Sequence, residues 1–231
     1  MLEVNDIHTY YGESHILRGI SFEIKKGQLV TLLGRNGAGK TTTIKTIMGF
    51  LKPRLGAIHF KERGIIGLRP HQIARMGIGF VPEDRRIFSS LTVLENLNLP
   101  VGAGGHNGWS LNKIFEHFPI LKERIKHKGS ELSGGEQQML AIARILRSSA
   151  ELLLLDEPTE GLAPFLIRAI EGIMREMKKS GMTVLLVEQN IRFATEVADH
   201  HYILYGGKIV YYGTNQEFKA NEEVKRRFLG I

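Results

Sequence analysis

Two stretches of this chain carry residue types that handle phosphate and water. Gly34-Arg35-Asn36-Gly37-Ala38-Gly39-Lys40-Thr41 fits G-x-x-x-x-G-K-[ST], the Walker A pattern. Glycines at 34, 37 and 39 let the backbone curl and aim successive N–H groups at a polyphosphate. Lys40 adds a mobile positive charge for the β- and γ-phosphates, and the Thr41 hydroxyl is suited to ligate Mg²⁺. The helix expected to follow, with Thr42 in its first turn, adds its positive N-terminal end. The second stretch, Leu152-Leu153-Leu154-Leu155-Asp156-Glu157-Pro158, is an apolar strand ending in two carboxylates. A buried strand would deliver Asp156 to the carboxyl edge of a sheet, where it holds Mg²⁺ or its water ligands. Strand alternation sends Glu157 the opposite way, toward the position of an attacking water, as general base.

Elements able to position these groups can be read along the chain. Gly19–Ile24 alternates apolar and polar, as a half-buried strand does. Leu29–Leu33 is almost continuously apolar, as in a parallel strand covered on both faces, and it leads into the glycine-rich loop. Helices are expected over Thr41–Gly49 and Pro70–Met76, and strands over Ala57–Phe60 and Ile78–Val81. Residues 85–149 read as a mostly helical insert interrupted by the loop 102–108, its last helix starting after Gly135. The α/β rhythm then returns: strand 152–156, helix 164–179, strand 183–187, helix 191–198. A hairpin around Gly206-Gly207 and a closing helix over 216–228 complete the chain.

A third stretch, Leu132-Ser133-Gly134-Gly135-Glu136-Gln137-Gln138, lies between the two nucleotide motifs. Ser133, Gly134 and Gly135 fall at a helix start, where free N–H groups and the helix dipole attract an anion. With Lys40 before it and Asp156-Glu157 after it, this run resembles the signature of ATP-binding cassette (ABC) ATPases, and the resemblance spans essentially the whole chain. It implies an α/β fold: a P-loop NTPase core of ABC ATPase type, with an N-terminal antiparallel β-subdomain and an inserted α-helical subdomain. The chain is then a single domain, with 1–84 and 150–231 forming the nucleotide-binding core and 85–149 the helical signature subdomain. The resemblance also implies two subunits sandwiching ATP head to tail, with Ser133 to Glu136 of each closing on the nucleotide of the other. Tyr11 occupies the place where the family stacks an aromatic ring on adenine.

Three positions depart from the family pattern. Glu83 stands for the usual Gln after Val81-Pro82, Gln189 for the switch His after the strand 183–187, and Ala163 for the Asp beyond the acidic strand. The amide of Gln189 can bond water or a γ-phosphate but cannot carry a proton, while Glu83 can ligate Mg²⁺ or accept a bond from water. Val81-Pro82-Glu83 with Arg85-Arg86, Val187-Glu188-Gln189-Asn190 and Gly161-Leu162-Ala163-Pro164 resemble the ATPases of branched-chain amino acid importers. Tyr10–Gly19 and Glu160-Gly161 resemble the related urea and short-amide importer ATPases. The amino acid reading is preferred; both rest on resemblance, as does the implied setting. That setting is the cytoplasmic face of the cell membrane, with permease subunits, a second ABC ATPase subunit and, indirectly, a periplasmic or extracellular solute-binding protein. Glu83–Asn96 is expected to border the dock for a permease helix. A soluble ABC protein of ribosomes or DNA, an exporter subunit and a nucleotide-gated module that scarcely hydrolyses are the competing readings.

Bulk composition narrows the classes further. With 42% hydrophobic and 24% charged residues the chain is ordinarily globular, and with no cysteine it has neither disulfides nor thiolate metal sites. Met1–Asp6 does not read as a signal peptide, and the apolar runs are too short to span a bilayer. The net charge of +7 is spread over short clusters, Lys25-Lys26, Lys178-Lys179 and Lys225-Arg226-Arg227, without interleaved aromatics, so they read as solvated surface and no nucleic acid is expected. His200-His201 reads as a helix-end or surface pair, and Trp109 as a packing anchor.

Overall fold

The computed structural model of the protein describes residues 1–99 and 108–230; the loop residues 102–107 thus fall outside the described residues. Among the described residues ten strands form two sheets. The first is antiparallel and four-stranded, in the order β2 (Ser14–Ile24), β1 (Leu2–Tyr11), β4 (Leu55–Phe60) and β5 (Arg63–Gly64). The second has six strands. They are β10 (Lys208–Thr214), β9 (His200–Tyr205), β3 (Leu29–Leu33), β8 (Thr183–Glu188), β7 (Leu152–Asp156) and β6 (Ile78–Val81), in that order. All neighbours in it are parallel except β9 and β10, a hairpin closed by Gly206 and Gly207. Both glycines have positive φ, 55° and 78°, which is what a two-residue hairpin turn of the favoured hand requires.

The apolar runs owe their continuity to two cores on opposite faces of the parallel sheet. Leu152, Leu154, Leu185 and Val187 face the antiparallel sheet and α1 (Lys40–Ile47), with Val4, Ile20, Ile44 and Ile58. Leu153, Leu155, Val184 and Leu186 face the helices. Burying each leucine contributes about 2 kcal/mol, so four in a row fix where β7 stops and where Asp156 emerges.

The remaining helices are α2 (Pro70–Arg75), α3 (Val93–Asn98), α4 (Leu111–His117), α5 (Pro119–Glu123), α6 (Gly134–Leu146), α7 (Pro164–Lys179), α8 (Ile191–Val197), α9 (Asn215–Ala220) and α10 (Glu222–Val224). Between residues 85 and 149 the described residues contain α3 to α6, a 3₁₀ turn at Gly129–Glu131 and no sheet strand beyond an isolated bridge, Thr92 to Lys128. Trp109 packs there at 8% exposure, under the Lys113 ammonium 4.1 Å from its ring.

The chain departs from the expected elements in three places. α6 begins at Gly134, before Gly135, because Ser133 and Glu136 form a reciprocal capping box. The closing helix is broken: Asn221 turns its side-chain oxygen onto the Val224 N–H, separating α9 from α10 and a π-type turn at Lys225–Leu229. His201 is no surface residue. It is fully buried at the start of β9, with Nδ1 2.6 Å from Thr31 Oγ1 and Nε2 3.0 Å from Asn215 Oδ1.

Candidate functional site

Parallel alignment brings the carboxyl ends of β3, β6, β7 and β8 to one edge, and a loop leaves each there. β3 gives Gly34–Gly39 and α1, β6 gives Glu83, β7 gives Asp156 and Glu157, and β8 gives Gln189. Ligands of open α/β sheets bind at such an edge. In the loop, Gly37 (φ 78°) and Gly39 (φ 112°) take backbone conformations that side chains resist. A Cβ at Gly34 would lie 2.5 Å from the Leu204 carbonyl oxygen, so that glycine is needed for close approach to β9.

Several polar groups at this edge find partners in one another. Lys40, only 4% exposed, donates to the Arg35 carbonyl at 3.2 Å and pairs with Glu157 Oε1 at 3.0 Å. Gln189 Nε2 donates to the other Glu157 oxygen at 2.5 Å, and the Glu157 N–H donates to the Val187 carbonyl at 2.9 Å. Thr41 Oγ1 donates to Asp156 Oδ1 at 3.3 Å. The alternation argument fails at Glu157. Its φ of 47° takes it out of the strand, so both carboxylates reach the phosphate loop rather than opposite sides of the sheet.

Burial pushes the Asp156 carboxyl up to about 6, helped by the nearby charges of Glu157 and Glu83 and opposed by the Thr41 hydrogen bond and Lys40. Among the described residues no three Asp, Glu or His side chains converge as a ready-made metal cage. Thr41, Asp156 and Glu83 line one cleft of about 500 Å³. Their oxygens fit Mg²⁺, which is usually held by one or two carboxylates together with substrate phosphates. A second cleft, of about 470 Å³, is lined by Tyr11, Asn36, Gly37, Gly39, Lys40, Thr41 and Thr42, together with Glu83 and Glu157. Tyr11 borders both clefts and is 46% exposed; Ala38 is buried beneath the loop.

Ser133 to Glu136 line neither cleft. Ser133 Oγ accepts from the Glu136 N–H at 3.3 Å, and Glu136 Oε2 accepts from the Ser133 N–H at 2.7 Å. Burial would raise the Glu136 carboxyl, but bonds from the Ser133 backbone and side chain and from Arg124 outweigh it and hold the group low. A Cβ at Gly135 would meet Leu166 of α7 at 2.1 Å, so this glycine lets the signature helix close on α7.

Several residues at these places escape the sequence reasoning. Glu160 and Ile16 line the second cleft, and Glu160 is raised chiefly by a hydrogen bond with Glu157. Arg85 lies over Gly134, its Nη1 3.0 Å from where a Cβ would stand, and reaches Gln137 Oε1 at 3.5 Å. Glu188, 2% exposed, accepts from both the loop after β7 and the loop after β8. The available signals were weak: Glu160 follows the acidic pair within one turn, and Arg85 shares a segment with Glu83.

Residues 17–160 match the family described as ABC transporter. Over full length in both, the chain is 43% identical to the high-affinity branched-chain amino acid transport ATP-binding protein BraG of Pseudomonas aeruginosa. It is 34% identical to the lipopolysaccharide export system ATP-binding protein LptB of Acidithiobacillus ferridurans, covering 100% of this chain and 97% of that one. Among solved structures it is similar to a dimeric ATP-binding cassette in a post-hydrolysis state with ADP and Pi. The TM-score is 0.81 and the identity 26%, over 93% of this chain and 99% of the other.

Proposed function

Because the chain belongs to the ABC transporter family as an ATP-hydrolysing subunit, we propose that it energises a membrane importer of branched-chain amino acids. Two cassettes would enclose two ATPs, each bound by the phosphate loop of one and the Ser133 helix start of the other. The observation that carries this reading is the joining of Lys40, Glu157 and Gln189 at the carboxyl edge of the sheet.

The nucleotide-free pairing implies how binding proceeds. A triphosphate entering the loop would compete for Lys40, since a glycine-rich loop and the helix start that follows it offer backbone N–H groups to phosphate beside this ammonium. Glu157 then loses its cation while keeping the Gln189 amide, which leaves one carboxylate oxygen free to take a proton from water. Gln189 orients and does not itself accept the proton. Thr41 and Asp156, with Glu83 at the cleft mouth, would hold Mg²⁺, which when bound neutralises charge on the β- and γ-phosphates. Tyr11 offers a face for the adenine ring. The Ser133 hydroxyl and the amides of Gly134 and Gly135 would meet the γ-phosphate of the facing cassette, with Glu136 holding their turn in place.

Likeness to BraG supports the amino acid cargo, and likeness to the ADP-bound dimer supports the paired arrangement. None of the helices among the described residues is long and apolar enough to cross a membrane. From the likeness to BraG we assign peripheral attachment at the cytoplasmic face, through permease subunits that a solute-binding protein would feed. The lipopolysaccharide export relative motivates an export reading. Glu157→Gln should bind ATP normally, turn over about a hundredfold more slowly and accumulate as closed dimer on gel filtration; near-normal turnover would remove the base assignment. With its permeases in liposomes, stimulation of hydrolysis by leucine supports import of branched-chain amino acids, stimulation by urea supports the amide reading, and response to neither supports export.

A further inference from the structure

The loops that follow β7 and β8 are joined by one buried carboxylate. Glu188 ends β8 at 2% exposure with no cation within salt-bridge distance among the described residues. Four donors reach it instead. Its Oε1 accepts from Thr159 Oγ1 at 2.7 Å and from the Thr159 N–H at 3.3 Å. Its Oε2 accepts from the N–H groups of Gln189 and Asn190, each at 3.0 Å. A buried carboxylate without a counter-ion is costly, and this one persists because every donor comes from a backbone or side chain that it holds in return.

These bonds close a ring. Glu157 accepts from the Gln189 side chain, Gln189 is fixed by its own N–H on Glu188, Glu188 grips Thr159, and Thr159 lies two residues beyond Glu157 in the chain. Glu157 is further tied to β8 by its N–H on the Val187 carbonyl. Without Glu188 the Gln189 backbone loses its anchor, although its side chain is the only one that donates to Glu157 Oε2 among the described residues. The positive φ of Glu157 adds to the need, since a strained residue keeps its conformation only when its neighbours over-determine it.

We propose that Glu188 is a positioning residue for ATP hydrolysis: by clamping the Thr159 loop to the Gln189–Asn190 turn, it keeps the Gln189 amide on the carboxylate of Glu157. The inference rests on reading Glu157 and Gln189 as the pair that handles the attacking water. It predicts an effect on the chemical step rather than on ATP affinity, because the Glu188 side chain bonds Thr159, Gln189 and Asn190 and none of residues 34–42.

The test is steady-state hydrolysis and ATP binding by the full-length chain carrying Glu188→Gln, Gln189→Ala, or both. The amide of Glu188→Gln keeps one acceptor oxygen and turns an NH₂ onto the donors of the other loop, so the clamp opens without loss of volume. Turnover should fall about tenfold with KM for ATP unchanged. In the Gln189→Ala background the same substitution should add less than about twofold, because the group it positions is gone. Thr159→Val removes one donor and leaves Glu188 in place; it should lower kcat about threefold at constant KM, and it carries the test if Glu188→Gln does not fold. Wild-type kcat in a folded Glu188→Gln or in Thr159→Val overturns the inference, as do losses that multiply fully in the double variant. If Gln189→Ala itself hydrolyses at the wild-type rate, the water-handling reading fails and the inference falls with it. A slow Gln189→Ala with a normal Glu188→Gln overturns the inference alone.

Discussion

The loop Gly34–Thr41 and the helix start at Ser133, both proposed to meet phosphate, differ in how far they are completed within one chain. Around Gly34–Thr41 the charges find partners within the chain: Lys40 meets Glu157 and the Arg35 carbonyl, and Thr41 meets Asp156. Lys40 and Asp156 are nearly inaccessible. At Ser133–Glu136 the side chains bond only to their own turn and to Arg124, and Ser133 stands exposed. One region rests closed on itself, while the other, on the proposed reading, is half of a site that a second cassette completes. A buried ion pair and an exposed helix cap both pass as phosphate motifs when only residue spacing is compared. They are opposite in energetics, because the first loses stability when one member is removed and the second loses little.

The largest effect expected from that contrast is on Lys40. Lys40→Ala leaves Glu157 buried beside the loop without its cation and removes the charge that meets the phosphates. ATP affinity of the isolated chain should fall about a hundredfold, equivalent to about 3 kcal/mol, as measured by calorimetric titration; unchanged affinity would break the claim that this half is self-contained. Ser133→Ala should leave ATP binding by the isolated chain unaltered and lower turnover about tenfold. Loss of the cap costs about 1 kcal/mol of stability. Mixing the two variants sharpens the contrast. In a head-to-tail heterodimer the intact loop of the Ser133 variant faces the intact signature of the Lys40 variant, so the mixture should hydrolyse faster than the sum of its parts. A merely additive rate would sink the shared-site arrangement.

An effect of a different kind, on folding stability and not on nucleotide, concerns the strand beneath the loop. Burial, first of all, pushes His201 down to about 4, against the raising bond from Asn215. The unfolded chain binds that proton near pH 6.5, so the contribution is fully present above 6.5 and is lost as pH falls through 4. The loss amounts to about 3 kcal/mol. Thermal unfolding followed from pH 7 to 4 should show a decline that His201→Gln flattens. A wild-type curve as flat as that of the variant would show that the buried ring does not govern the acid response of this half.

Much of the site was legible because its residues lie at strand ends. Leu29–Leu33 and Leu152–Leu155 announce buried strands by continuous hydrophobicity, and the residues next in the chain emerge at the sheet edge. The glycines of the loop and the Ser133 cap are local features, governed by backbone conformation within four residues. Less legible were features set by competition. The closing helix was lost to the side chain of Asn221, and His201 is buried because β9 enters the sheet beside Thr31. Neither outcome is encoded in periodicity, since a histidine at a strand start has the same pattern value whether the strand lies at an edge or inside.

By itself the sequence determined the family, the loop proposed to bind phosphate, the carboxylates proposed for metal and water, and the departures at Glu83, Ala163 and Gln189. Each follows from residue type and short-range spacing, which the covalent chain fixes. The tertiary structure alone decided what these groups do to one another. Thr41 and Asp156 are 115 residues apart and Gln189 and Glu157 are 32 apart, and both pairs meet only because β3, β8 and β7 lie side by side in the sheet. It also decided that Glu157 leaves the strand at positive φ and faces Lys40, and that Glu188 is buried as a clamp rather than exposed as a surface acid. The direction of a side chain past a strand end depends on which neighbours satisfy its charge, and those neighbours are distant in sequence.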